Sequence, residues 1–179
     1  MRRETFENTL AVVVVLVIVL AIVGVAFAAV SKGSKAIPFK LPALSGKMLS
    51  LDDIRKDPLK KGQNRVVVMD FWATWCPPCQ EETAVLQKLQ NKYGSKGVVV
   101  VGISLDAGGA KDVSPFMKEH KLSYLVLLDP RSSVGRQYGV RGIPATFILD
   151  RNGIIKQQHV GYEASMEKGL EDEVKALLR

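Results

Sequence analysis

Asp70-Phe71-Trp72-Ala73-Thr74-Trp75-Cys76-Pro77-Pro78-Cys79 is where one sequence pattern ends and another begins. Upstream, Arg65 to Trp72 reads as a continuous apolar strand, the kind buried on both faces of a parallel sheet. Downstream, a proline opens a helix expected over 77–93, with Glu81 and Glu82 in its first turns. Leu86, Leu89 and Tyr93 share one face of it. Between strand and helix sit the only two cysteines of the chain, three residues apart.

A bare C-x-x-C is ambiguous. Structural zinc needs a second pair of ligands, and only His120 and His159 remain, far apart in the chain. Attached haem needs a histidine after the second cysteine, where Gln80 stands. A secreted disulfide scaffold needs more cysteines at wider spacing. A strand that delivers a cysteine to a helix N-terminus suits redox exchange, because the helix dipole and free backbone N–H groups stabilise a thiolate there. Cys76 is then the exposed attacking thiol, and Cys79, one turn inside, the buried resolving thiol.

Working outward, Phe39 to Leu44 and Met48 to Leu51 form an expected hairpin turning at Gly46, followed by one helical turn over 52–56. Gly97 to Ser104 is a second buried strand and 112–120 a helix with Val113, Phe116 and Met117 inward. Tyr124 to Leu128 is a short strand and 132–138 a short helix. Residues 145–149 and 155–160 pair about a turn at Arg151-Asn152-Gly153-Ile154, and 165–178 closes the chain as an amphipathic helix. The order βαβαβα, then ββα, implies a central mixed sheet with helices on both faces.

Leu10 to Val30 is an uninterrupted apolar run, long enough for a transmembrane helix. The expected organisation is a tail at 1–9, an anchor at 10–30, a flexible tether at 31–36 and a domain at 37–179. Ala26-Phe27-Ala28 also fits a signal-peptide cleavage site after Ala28. The run is longer than a usual signal peptide's, and Glu4 and Glu7 dilute the basic lead, so an uncleaved anchor is the preferred reading. Flanking Lys and Arg do not favour export, but large domains cross largely regardless of them. The domain is therefore expected on the extracytoplasmic side of a bacterial-type inner membrane. The net charge of +7 lies wholly after the apolar run, since Glu4 and Glu7 offset Arg2 and Arg3. Its scattered distribution argues against nucleic-acid binding and suits a face toward anionic lipid headgroups.

The segment from Asp70 to Cys79 resembles the active-site segment of thioredoxins, and Gly142-Ile143-Pro144-Ala145-Thr146 resembles their cis-proline loop. The start Leu41-Pro42-x-Leu44-x-Gly46-Lys47, and the 97–128 region inserted before that loop, are similar to the TlpA/ResA/CcmG branch. Members of that branch are tethered extracytoplasmic thiol–disulfide oxidoreductases, many serving cytochrome c maturation. The resemblance covers about 37–179. It implies an α/β, thioredoxin-like fold: a central mixed β-sheet flanked by helices, with an N-terminal β-hairpin and an N-terminal transmembrane helix. It implies no cofactor beyond a redox-active Cys76–Cys79 disulfide. Its partners would be exported disulfide-containing proteins such as apocytochrome c, and a membrane protein that donates electrons through thiols.

The resemblance also implies roles for other residues. Pro144 matches the cis-proline that faces the cysteine pair, and Ile143 would offer backbone hydrogen bonds to an extended substrate. Trp75 and Pro77 flank the exposed sulfur, and Trp72 is a packing aromatic. Glu82 matches an acid that modulates the cysteine pKa values, the alternative being an acid that complements the helix dipole, which better explains Glu81. Asp70 matches a buried proton acceptor beneath Cys79, the alternative being a strand-end acid reaching solvent. Ala84 stands where many relatives have a helix-kinking proline, which implies a straighter helix. His120 and His159 read as surface histidines.

Two other classes remain open. Two thiolates suit a Cu(I) carrier. A peroxiredoxin-like thiol peroxidase requires a Pro-x-x-x-Thr-x-x-Cys frame, but Thr74 lies only two residues before Cys76 and Asp70 holds the proline's place. Pro77 and Pro78 lack N–H groups and no His or Lys lies between the cysteines. The thiolate should therefore be only moderately stabilised, and the pair a reductant near about −250 mV.

Overall fold

The computed structural model describes residues 30–60 and 62–179. The expected tail, the anchor apart from Val30, and the cleavage position after Ala28 lie outside them. Among the described residues, no helix is long and apolar enough to cross a membrane.

Among the described residues, seven strands and five α-helices follow in the order β1 (Lys40–Pro42), β2 (Met48–Ser50), α1 (Leu51–Arg55), β3 (Val66–Trp72), α2 (Pro77–Tyr93), β4 (Val98–Ser104), α3 (Ala110–Glu119), β5 (Leu125–Leu128), α4 (Ser133–Gln137), β6 (Ala145–Leu149), β7 (Ile155–Val160) and α5 (Glu167–Ala176). Five strands form one mixed sheet in the order β5-β4-β3-β6-β7. β3, β4 and β5 run parallel, while β6 and β7 are antiparallel additions. β1 and β2 make a separate hairpin, tied to β5 through Ala43 and Leu127.

The apolar run of β3 is continuous because both of its faces are covered. Val67, Met69 and Phe71 pack with Phe39, Ile54, Tyr138 and Phe147 on one side. Val66, Val68 and Trp72 pack on the other with Leu86 of α2, Phe116 of α3, and Leu170 and Val174 of α5. The alternation of β3 therefore sends even-numbered side chains toward α2. Asp70 is one of them. Its parallel neighbour is Gly102, where an added Cβ would come within 2.7 Å of the Trp72 indole nitrogen. That glycine makes room for the indole and for Tyr124.

The segment 31–36, expected as a free tether, is instead docked on the β6–β7 turn and the start of β7. Gly33 N–H donates to the Ile155 carbonyl (2.8 Å), Ile155 N–H to Ser34 (2.9 Å), and Ala36 N–H to Gly153 (2.9 Å). These residues satisfy backbone groups at the start of the edge strand β7. The final helix is shorter than expected. A 3-10 turn over Ala164–Met166 precedes α5. The helix expected over 112–120 begins two residues earlier, after Gly109 with its positive φ.

Candidate active site

β3 ends at Trp72, and the chain crosses to α2 through Ala73, Thr74 and Trp75. This loop is held by an acid that sequence patterning did not single out. Asp106, 1% exposed, accepts from the Thr74 N–H and hydroxyl, the latter at 2.6 Å, and from the Ser104 hydroxyl at 2.9 Å. From the helix side, Gln80 donates to the Thr74 carbonyl at 2.6 Å. Asp106→Ala should strand these donors in a buried site and cost on the order of 3 kcal/mol, read as a lowered urea midpoint.

Cys76 is the N-cap of α2, and Pro77 and Pro78 occupy its first two positions. Neither proline can donate, as the sequence indicates. The Cys79 N–H does, reaching the Cys76 sulfur at 3.3 Å. The cysteines are joined as a disulfide with their Cα atoms 5.2 Å apart. The expectation of an exposed Cys76 needs correcting for this oxidised state. Cys76 is 4% exposed and Cys79 fully buried, because the first sulfur turns inward to its partner. What stands in solvent is its surround: Trp75, 68% exposed, and Pro77.

The Ile143–Pro144 peptide is cis. The Ile143 carbonyl oxygen lies 3.8 Å from the Cys76 sulfur. The Pro144 carbonyl is occupied by the Gly161 N–H at 2.8 Å. The loop before β6 therefore presents Ile143, half-buried, at the cysteine pair.

Behind the disulfide lies a buried polar cluster built from three elements. Asp70 on β3 is fully buried and does not reach solvent, and Glu82 on α2 is 2% exposed. Cys79 and Glu82, three apart on the helix, share a face. Thr146 on β6 is the register partner of Asp70. Its hydroxyl donates to Glu82 Oε1 at 2.7 Å and lies 3.4 Å from Asp70 Oδ1. One hydroxyl proton cannot satisfy two carboxylates, and the outer oxygen of each acid has no partner. Burial raises Glu82 to about 7, against the Thr146 hydrogen bond and the charge of His159. Asp70 is pushed well above the usual carboxylate range, first by burial and then by Glu82. The pair therefore holds at least one proton near neutrality.

Two further residues belong to this cluster that the sequence did not place at the site. Tyr124 packs beneath the acids with an unpartnered hydroxyl, its pKa raised by burial and by both carboxylates. His159, expected as a surface histidine, is half-buried and lies 2.8 Å from Glu173. It pairs with Thr146 across β6–β7, which places it on the face of the acids. His120 is exposed and stacks on Phe116. Glu81 is exposed, and Ala84 lies on the solvent side of an unbroken α2.

The family profile described as Redoxin matches residues 31–174. Thioredoxin-like protein YneN of Bacillus subtilis (strain 168) is 35% identical over 133 residues, covering 74% of this chain and 73% of that protein. Thiol-disulfide oxidoreductase ResA of Bacillus thuringiensis subsp. konkukian (strain 97-27) is 32% identical over 129 residues, covering 72% of this chain and 69% of that protein. Among solved structures, one from Chlorobium tepidum assigned as a thiol:disulfide interchange protein DsbE superposes with a TM-score of 0.76. It is 36% identical and covers 84% of this chain and 100% of its own.

Proposed function

The chain belongs to the Redoxin family and is a thioredoxin-fold thiol–disulfide oxidoreductase of the TlpA/ResA/CcmG type, and we propose that it reduces disulfides of exported proteins, apocytochrome c among them, from an extracytoplasmic membrane tether. The observation that carries this reading is the Cys76–Cys79 pair at a helix N-terminus, facing Ile143 and backed by Asp70 and Glu82. The apolar run 10–30 supplies the anchor, with the domain on the far side of the membrane.

In the reducing direction the Cys76 thiolate attacks one sulfur of a client disulfide, and the client's other sulfur leaves as a thiolate. Cys79 then gives its proton to the buried acid pair and attacks Cys76. This frees the second client thiol and leaves the protein disulfide. Trp75, Pro77 and Ile143 form the surface on which the client segment lies, beside the buried Pro144. The two electrons that reset the pair must come from another dithiol, for which a membrane protein passing cytosolic electrons outward is the proposed source.

The Cys79 N–H is a single donor to the Cys76 sulfur, so the thiolate is moderately stabilised and the pair remains a reductant. A redox titration should fall near −250 mV, on the order of thioredoxin's potential, and a value above about −180 mV would overturn the reducing direction. The client assignment is tested in cells lacking the chain. Covalently bound haem on c-type cytochromes should fall and recover when dithiothreitol is supplied outside. Unchanged haem staining would remove apocytochrome c as the client.

A further inference from the structure

Beside the cysteine pair, a groove of about 270 Å³ opens between Trp75 and the stretch 132–143. Leu105, Val140 and Ile143 give it apolar walls, and Arg136 and Arg141 line it as well. It is continuous with the sulfur, since Ile143 belongs to the groove and its carbonyl lies 3.8 Å from Cys76.

The charge of this groove is unanswered. Arg136 and Arg141 are both exposed, and neither takes part in the ion pairs found among the described residues. Arg136 spends one N–H on the Arg131 carbonyl, which fixes its direction and leaves its charge unpaired. The acid just before this stretch makes no ion pair with either of them. Asp129 is 1% exposed and is occupied by the Ser133, Val134 and Gly135 N–H groups and the Ser133 hydroxyl.

We infer that this groove selects client segments carrying an acidic side chain within a few residues of the reactive cysteine, with an apolar neighbour laid against Trp75. The inference rests on the dithiol reading above and adds a charge preference to it. A cationic rim on an apolar wall speeds encounter with an acidic strand and repels a basic one, an effect weakened by salt.

The test uses the reduced full chain in detergent micelles and two cysteine peptides as mixed disulfides, identical except for Glu or Lys at positions two to five from the cysteine. The Glu peptide should be reduced with a second-order rate constant on the order of tenfold higher at low ionic strength, converging with the Lys peptide in high salt. In Arg136→Glu/Arg141→Glu the ratio should invert, each variant serving as its own control for folding. Equal rates for both peptides, with neutral hydroxyethyl disulfide still reduced, would overturn the inference and leave the oxidoreductase reading standing. So would a charge reversal that alters only binding to anionic lipid vesicles. Failure to reduce hydroxyethyl disulfide would remove the dithiol reading and the inference together.

Discussion

Cys79→Ala, once reduced and offered a client disulfide, is expected to stop as a mixed disulfide on Cys76, visible as an added mass that dithiothreitol removes. The substitution keeps the backbone N–H that donates to the Cys76 sulfur and the helix N-terminus beneath it. Attack therefore continues while resolution is lost. Cys76→Ser is expected to lower turnover by roughly three orders of magnitude or more and to capture nothing, because the nucleophile itself is gone. The order of events follows from access. Cys76 keeps a small solvent window, and Cys79 has none. Capture on Cys79 in Cys76→Ser, or normal turnover by Cys79→Ala, would reverse these roles.

The second large effect is on stability. Glu82 sits at about 7 in the folded chain against an ordinary 4.5, chiefly because burial penalises its charge. Between those values the folded state binds more protons than the unfolded state, so stability falls as pH rises and levels off above about 7. Below 4.5 the acid is neutral in both states and adds no further pH dependence. The loss amounts to roughly 3 kcal/mol, and Asp70, shifted in the same direction, adds to it. Glu82→Gln should match the natural chain near pH 4.5 and exceed it by about that amount at pH 8, in urea unfolding at each pH. Taking the difference between the two proteins cancels surface acids such as Glu171, whose pKa is shifted the opposite way. The same substitution should flatten the rise in resolution rate across pH 7, since Glu82 can accept the Cys79 proton only once it is ionised. Parallel stability curves would mean that Glu82 is already ionised in the folded chain.

A destabilising acid pair behind the disulfide is best understood through its function. A buried carboxyl that titrates near neutrality can accept the proton of a resolving thiol, which an ordinary surface carboxylate is too acidic to do efficiently. Thr146 offsets part of the burial of Glu82 by donating its one hydroxyl proton to it. His159, which is paired with Glu173, draws Glu82 back toward its usual range.

The residues that read correctly in the sequence are those whose environment is local. The strand 66–72 and the helix 77–93 were legible from an apolar run and from a proline followed by a 3.6-residue stripe. The placing of Cys76 at the N-cap and Cys79 one turn inside follows from the same short segment. Asp70 and Glu82 were legible only by resemblance. Nothing in the apolar pattern distinguishes a buried acid from a strand-end acid, and the alternative reading of Asp70 assumed a solvent path that the fold removes.

The sequence by itself thus determined the order of elements, the redox-competent spacing and the end of the sheet at which the pair stands. Each of these depends on residues within a few positions of one another. Only the tertiary structure decided that Thr146 bridges Asp70 and Glu82, that Asp106 clamps Thr74 from 32 residues away, that His159 joins the acid face, and that 31–36 docks on β7. All four depend on strand register, antiparallel for Thr146, His159 and 31–36 and parallel for Asp106, and on which sheet face a helix covers. A one-residue slip in either would turn the same side chains to the opposite side, without altering any local pattern that the sequence displays.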